Sequence, residues 1–171
     1  MADPQRRQYL SAIDEWTFAG RVALSDGKNG GSGNLQWYQH STSLEIKFRA
    51  AFGRGAWILE AVPGQAVLQT GKGETFHSTD VSNLVSRYLG WHVPMDAMAH
   101  WVMGLAAPGS DATLVTDQFG LPRKISQLGW EISYDRWDKD HQPAMPVRIN
   151  ASRGEYSFKL IVRNWRLVES P

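Results

Sequence analysis

The sequence predicts a mostly β (α+β) fold: a curved antiparallel sheet with short helices that cover part of its concave face. Most segments alternate apolar and polar residues at the strand period, and only two stretches, near 79–89 and 94–103, have helical spacing. About ten strands would make an open sheet about 45 Å wide, and two helices cover only about half of that width. The sheet must therefore curl, and an apolar hollow on its concave side favours a hydrophobic ligand. The predicted strands are 16–24, 34–40, 43–49, 56–62, 65–70, 112–117, 121–127, 130–135, 147–152 and 155–166.

Hairpins join the predicted strands of the first half. Trp16, Phe18 and Val22 fall on one face of the first strand, and polar residues fall on the other. Segment 26–33 is rich in glycine and is expected to be a flexible hairpin loop without strand structure. The later segments alternate in the same way, and the Pro-Gly pair at 63–64 predicts a tight turn. Consecutive hairpins imply an antiparallel sheet with one buried and one solvated face.

The middle of the chain predicts two helices. Asp80 offers an N-cap and Gly90 a stop for a helix whose apolar residues include Leu84 and Tyr88. Pro94 can open a second helix, because a proline in the first turn sacrifices no hydrogen bond. Both helices are apolar on one face, which fits either a plain α+β core or a lid over a cavity. Methionines in the second helix favour the lid weakly, since thioether side chains repack around irregular apolar ligands.

Composition narrows the functional classes. A chain of 171 residues, 42% hydrophobic and 20% charged, is typical of one globular domain, taken as 1–171 with a folded core over about 9–168. The net charge of +1 gives no electrostatic support for nucleic-acid binding. The sequence contains no cysteine, no apolar run of about 20 residues that would cross a membrane, and no recognisable signal peptide.

An enzyme would need converging polar side chains, and the sequence offers little for one. It contains no H-E-x-x-H, G-x-S-x-G or G-x-x-x-x-G-K-[ST] motif. Asp138, Asp140 and His141 form a small cluster that is better explained as a solvated loop than as a metal site. We therefore expect no catalytic residue, no metal, no cofactor and no step driven by ATP.

One predicted hairpin tip carries a bulky apolar residue. Phe52 lies among small residues in segment 49–55, with Gly53 beside it to let the chain turn. Either Phe52 folds back onto the sheet, or it protrudes and inserts into a lipid surface or a partner. Arg49 and Arg54 flank it and are suited to meet anionic headgroups.

Short motifs are spread over nearly the whole chain, from about Tyr9 to Val168. They are TFAGRVA from Thr17, the Trp37 strand, WVMGLAAPG from Trp101, QPAMP from Gln142 and RNW from Arg163. None is a catalytic signature. In this order and spacing they resemble the LolB family, the outer-membrane lipoprotein receptors of Gram-negative bacteria.

The resemblance implies a half-barrel that holds lipoprotein acyl chains beneath a helical lid. It implies a receptor that accepts acylated lipoproteins from a periplasmic, LolA-like carrier and inserts them into the inner leaflet of the outer membrane, without covalent chemistry. We expect such a receptor to be a monomer at the periplasmic face of that membrane. The lipidated N-terminal cysteine that anchors the family has no counterpart in this chain, so either it was removed or this member works without an anchor.

The resemblance also implies residue roles. The family's protruding loop carries a bulky apolar residue before a glycine, here Phe52 before Gly53, where we would expect leucine. Ordinary core packing competes with acyl-chain binding as the role of each inward-facing residue, and a one-residue slip in register would reverse a strand's assignment. The candidate acyl-chain contacts are Phe18, Val22, Trp37, Ile46, Phe48, Trp57, Leu59, Leu84, Tyr88, Met98, Trp101 and Trp130.

A soluble, lipocalin-like carrier of a small hydrophobic ligand is the main alternative. A curled antiparallel sheet with an apolar interior suits that function equally well. The central helix pair and Phe52 argue against it, because a soluble carrier has no reason to expose a phenylalanine.

Overall fold

The chain folds into one antiparallel sheet and short helices, seen in a computed structural model that describes residues 3–51 and 55–169. The helices in this part of the chain are α1 (Asp3–Ser11), α2 (Val81–Leu89) and α3 (Met95–Trp101). The strands are β1 (Glu15–Ser25), β2 (Gly30–His40), β3 (Ser43–Ala50), β4 (Ala56–Val62), β5 (Gln65–Thr70), β6 (Thr75–Ser78), β7 (Ala112–Thr116), β8 (Pro122–Gln127), β9 (Trp130–Asp138), β10 (Met145–Arg153) and β11 (Tyr156–Val168).

Two meanders meet at the middle of the sheet. The strand order is β6-β5-β4-β3-β2-β1-β11-β10-β9-β8-β7, so the first strand pairs with the last and the edge strands are β6 and β7. The sheet is curved and does not close, which confirms the predicted half-barrel. The inward residues of β1 through β4 alternate with exposed or half-buried ones, as the sequence pattern predicts.

Three local predictions need correction. Only two helices were expected, but α1 precedes β1, with Pro4 in its first turn. The short edge strand β6 was missed because four residues carry little periodicity. Segment 26–33 is not all loop: β2 begins at Gly30 and pairs with β1, so the hairpin loop is limited to residues 26–29.

Side-chain packing explains why β2 contains a glycine at position 33, which amino-acid composition alone does not. A Cβ atom on Gly33 would lie 2.4 Å from the Arg49 carbonyl oxygen and 2.6 Å from the Phe48 ring. Such contacts are shorter than van der Waals separations, so any side chain here would displace Phe48 or β3. Gly33 thus belongs in the strand because an aromatic ring from β3 lies over it.

The caps of α2 follow the sequence prediction. Asp80 is its N-cap, and the Asp80 carboxylate accepts a hydrogen bond from the backbone N–H of Ser82 at 2.9 Å. Gly90 ends the helix with φ 70°, and its N–H donates to the Ser86 carbonyl. The backbone N–H of Met95 donates to the Ser82 hydroxyl at 2.9 Å, which joins the start of α3 to α2.

A β-bulge in β11 explains part of the RNW motif. The register of β1 against β11 shifts between Thr17 and Ala19, and Asn164 lies in the shifted segment with φ 57°. Asparagine tolerates this left-handed conformation better than most residues. The extra residue keeps Trp165 on the concave face, where its ring lies 4.9 Å from that of Phe18.

Replacing Asn164 with alanine is expected to lower the free energy of unfolding by about 1 kcal/mol, because a positive φ is energetically less favourable for alanine than for asparagine. Asn164→Gly is the matched control and is expected to stay within about 0.5 kcal/mol of wild type, since glycine adopts this conformation freely. Urea unfolding followed by tryptophan fluorescence measures both. Equal stabilities of the alanine and glycine variants would show that the conformation at 164 is not what the asparagine supports.

Candidate functional site

The concave face of the sheet is apolar and rich in aromatic rings. Trp16 and Phe18 of β1 and Trp37 of β2 form a cluster whose ring centroids lie 5.6 to 6.0 Å apart. Such pairs contribute about 0.5–1.5 kcal/mol each beyond the area they bury. Ten of the predicted acyl-chain contacts are buried here or under the helices: Phe18, Val22, Trp37, Ile46, Trp57, Leu59, Leu84, Met98, Trp101 and Trp130. Phe48 is half-buried and packs against the same core.

Tyr88 does not lie where helical spacing placed it. Its side chain is 41% exposed, and its ring stacks on Phe76 of the edge strand β6 with centroids 4.0 Å apart. The inward orientation expected for Tyr88 is therefore not observed. Its neighbours Leu84 and Val85 carry the buried face of α2 instead.

The interior beneath the helices is almost filled. Met95 and Met98 of α3 reach down to the sheet, where a void of about 20 Å³ remains between them and residues such as Trp37 and Ile46. That is about the room one water molecule needs, whereas ligand sites typically measure about 300–1,000 Å³. The expected open hollow is thus nearly closed in this structure. A long acyl chain would fit in this void only if α2 and α3 (the lid helices) moved away from the sheet.

A wide cleft opens at one end of the half-barrel. Its volume is about 1070 Å³, and it lies among the end of α1, the β2–β3 and β4–β5 turns, and α3. Leu10, Trp16 and Leu44 supply apolar walls, while Asp80 and Asp96 lie at its rim.

A narrow cleft of about 370 Å³ opens at the opposite end. Phe48, Trp57 and Trp91 form its aromatic wall: Trp57 and Trp91 centroids lie 5.1 Å apart, and those of Phe48 and Trp57 lie 5.2 Å apart. Trp91 lines both this cleft and the small internal void, so it separates the two spaces. Trp91 belongs to the linker between the lid helices, which couples that separation to the lid.

The predicted insertion loop emerges beside the narrow cleft. Ala50, at the end of β3, lines the cleft, and its N–H donates to the Gly55 carbonyl at 2.8 Å. This bond holds the two ends of the hairpin together. Phe52 and Gly53, the residues predicted to insert, lie outside the described residues, so their role stays a prediction.

The C-terminal end of α3 is firmly attached to the sheet. The buried Gln127 side chain accepts hydrogen bonds from the Trp101 indole N–H at 2.9 Å and the Ala107 N–H at 2.8 Å. The Tyr134 hydroxyl donates to the Trp101 carbonyl at 2.6 Å, and burial raises the pKa of Tyr134 far above its usual range. These hydrogen bonds fix the end of α3 at Trp101, whereas α2 is held by apolar packing of Leu84 and Val85 and by the Tyr88–Phe76 stack.

A buried arginine fastens the same region to α1. Arg6 Nε donates to the Ala144 carbonyl at 2.8 Å, and its two Nη atoms donate to the carbonyls of Met103 and Gly104. Its guanidinium also lies 4.6 Å from the centre of the Trp137 ring. Burial lowers the pKa of Arg6 to about 10, which leaves it charged at neutral pH. These contacts hold the segment after α3 against both α1 and the β9–β10 loop.

Gly104 is required where Arg6 and Trp137 converge. Its φ is 75°, and a Cβ there would lie 2.5 Å from the Trp137 ring and 3.1 Å from an Arg6 nitrogen. The glycine in the WVMGLAAPG motif thus has both a conformational and a steric reason.

Sequence reasoning missed Arg6, Gln127 and Tyr134 as structural determinants. A basic or amide residue in a short polar segment is normally solvated, and nothing local distinguishes these from others. Proline at position 4 was the one available signal, since it favours a helix start just before Arg6.

The charged cluster after β9 has a structural role. Asp138 accepts hydrogen bonds from the backbone N–H groups of Asp140 and His141, at 3.0 and 3.2 Å, and so shapes the turn. Within 3–51 and 55–169, no group of three or more acidic or histidine side chains is placed to hold a metal ion. No helix in those ranges is long and apolar enough to cross a membrane.

The family model described as "Outer membrane lipoprotein LolB" matches residues 14–165, which covers β1 to β10, most of β11 and both lid helices. The chain belongs to the LolB family. This confirms the family that the sequence motifs suggested. The match includes the residues that line the narrow cleft, most of those that line the wide cleft, and the hairpin between β3 and β4.

Relatives and solved structures agree with this placement. Proteins named outer-membrane lipoprotein LolB from Alkalilimnicola ehrlichii and Marinobacter nauticus are each 34% identical to this chain, covering 96% and 95% of it and 86% and 80% of their own lengths. A LolA superfamily protein from Nitrosomonas europaea is 10% identical, with a TM-score of 0.54 over 100% of this chain and 96% of its own. A DUF1329 family protein from Desulfovibrio piger is 8% identical, with a TM-score of 0.61 over 95% and 89%. The two structures support the fold alone.

Proposed function

We propose that this LolB-family protein is a receptor that accepts acylated lipoproteins from a periplasmic, LolA-like carrier and inserts them into the inner leaflet of the outer membrane. The observation that carries the proposal is an apolar, aromatic concave face covered by short helices whose apolar sides pack onto it. The names of the relatives support the location at the outer membrane and a lipid anchor in the native form. The acting unit is a monomer.

Acyl chains would replace the lid side chains on the concave face. Met95 and Met98 fill the space now, and their flexible thioethers leave it at little cost. Each methylene that enters water costs about 0.8 kcal/mol, so chains must pass directly from one apolar groove to another. Direction then comes from increasing affinity along the path, from carrier to receptor to membrane, without ATP or covalent chemistry.

The two clefts suggest a direction of passage. Cargo enters where the lid parts from the sheet, and delivery occurs at the narrow cleft, because the Phe52 hairpin begins there. The Phe48, Trp57 and Trp91 rings close this exit until the linker moves.

The test is a two-step transfer of lipoprotein. A carrier loaded with acylated lipoprotein is mixed with this protein, and hand-off and later appearance in phospholipid vesicles are measured. The matched control is the same cargo with its acylated cysteine replaced by alanine. We expect transfer of the acylated cargo only. Binding of free fatty acids with no hand-off would instead favour the small-ligand carrier.

A further inference from the structure

One buried hydrogen-bond donor in the core has no partner. Trp130 is 1% exposed, and no acceptor among the described residues lies within hydrogen-bonding distance of its indole Nε1. Two other buried tryptophans differ: Trp37 donates to Gln39, and Trp101 donates to Gln127, each at 2.9 Å. Buried donors are almost always satisfied, because leaving one unpaired is costly. An exception calls for an acceptor supplied by something else.

The position of Trp130 shows where that acceptor would come from. Trp130 starts β9 and lines the narrow cleft together with Phe158 and Trp91. The centroid of its ring lies 6.0 Å from that of Phe158 and 6.3 Å from that of Trp101. Trp130 thus lies beside the route by which the proposed function has acyl chains leave.

The surroundings restrict the chemistry of the acceptor. The described residues that line the cleft include Asp26 and His92 but no lysine or arginine, so a fatty-acid carboxylate there would lie near a like charge and without a permanent cation. A neutral carbonyl oxygen attached to an apolar chain suits this site. It accepts a hydrogen bond from the indole N–H, it carries no net charge, and it introduces no donor that would itself need a partner. Acyl esters have this arrangement at the end of each chain.

We propose that Trp130 Nε1 donates a hydrogen bond to an acyl-ester carbonyl of the bound lipid as its chains occupy the narrow cleft. This inference rests on the proposed function and deepens it. Trp130 then recognises the place where an acyl chain joins its glyceryl group, whereas the other lining residues recognise only hydrocarbon. It also positions the glyceryl group close to the hairpin that holds Phe52.

The test compares two lipids that differ only in the carbonyl. Dioctanoylglycerol has ester linkages, and dioctylglycerol has ether linkages. For the wild-type protein we expect the Kd of the ester lipid to be roughly two- to tenfold lower than that of the ether lipid, because one neutral hydrogen bond contributes a free energy of that size. In Trp130→Phe, which keeps the ring and removes the N–H, the ratio of the two Kd values falls to about one. Trp165→Phe is the control, because its N–H already donates to Pro146 at 2.7 Å, and it keeps the ratio.

A second readout does not depend on the variant being stable. This readout is the NMR signal of the Trp130 indole N–H in the wild-type protein, identified by sequential assignment or by its loss in Trp130→Phe. We expect this signal to move downfield when the ester lipid is added and to stay in place when the ether lipid is added. The same shift is expected with acylated lipoprotein. A shift only with phosphatidylethanolamine vesicles would overturn the assignment to cargo.

The outcomes separate this inference from the proposed function. If both lipids bind and the ester preference is absent, or survives in Trp130→Phe, the role of Trp130 is overturned while the receptor stands. If neither lipid binds and no lipoprotein is handed over, the proposed function fails, and the inference fails with it.

Discussion

Replacing Arg6 with methionine is expected to lower the free energy of unfolding by about 3 kcal/mol, because three backbone carbonyls lose a charged donor in a buried setting. Methionine approximates the length of the side chain, so the loss reports mainly the hydrogen bonds and the contact with the Trp137 ring. The segment at Met103 and Gly104 should loosen with it. Urea unfolding measures the stability, and hydrogen exchange of residues 101–105 measures the loosening.

The neighbouring arginine provides the control. Arg7 lies on the same helix but is 51% exposed and pairs with Asp3 at 3.0 Å. Solvent screens the half-exposed Arg7 guanidinium, and Asp3, which is only 6% exposed, keeps the attraction of Arg6 when Arg7 is replaced. Arg7→Met should therefore cost less than Arg6→Met. Similar losses for the two variants would mean that α1 does not hold the end of α3.

Phe52→Glu is expected to accept lipoprotein from the carrier as wild type does and to deliver it to vesicles at least about tenfold more slowly. Inserting a phenylalanine side chain into an apolar phase is worth about 1.5–3 kcal/mol, and a carboxylate in a bilayer is unfavourable by a similar amount. The hairpin begins beside the narrow cleft, and the hydrogen bonds of Trp101 and Arg6 are made with other segments of the chain. Hand-off and delivery should therefore respond separately.

Phe119→Glu is the matched control for the insertion loop. Phe119 is also a phenylalanine between two strands, 60% exposed, in the β7–β8 connection at the wide-cleft end of the sheet. Phe119→Glu should deliver lipoprotein to vesicles at the wild-type rate. Phe52→Leu should also deliver at about the wild-type rate, because leucine is comparably apolar. Equal loss of delivery in Phe119→Glu and Phe52→Glu would point to general surface hydrophobicity instead of a dedicated loop.

Local patterns predicted most of the sheet. Alternation placed Phe18, Ile46 and Leu59 on the buried face, because the strand period of two depends only on neighbouring residues. The caps Asp80 and Gly90 were predictable for the same reason, since capping is chemistry within one turn. The family motifs added the half-barrel and its lid.

The candidate site was predicted less completely. Tyr88 has the right spacing for the inner face of α2, yet its ring stacks on that of Phe76. Phe76 belongs to the edge strand β6, which local periodicity did not indicate. The comparison of sheet width with helix width predicted the curvature of the sheet correctly. It did not predict how completely side chains fill the concave side. How far Met95 and Met98 reach depends on where α3 lies over the sheet, and no local pattern encodes that distance.

The sequence by itself determined most strands of the sheet, the two lid helices, the apolar face and the family. The tertiary structure decided that the end of α3 is hydrogen-bonded to Gln127, that the space beneath Met95 and Met98 is nearly closed, and that Trp130 lacks an acceptor. The physical reason is sequence separation: Arg6 meets Ala144 across 138 residues and Gly104 across 98. Periodicity and capping act over a few residues, whereas the satisfaction of a buried polar group depends on whatever the fold brings beside it.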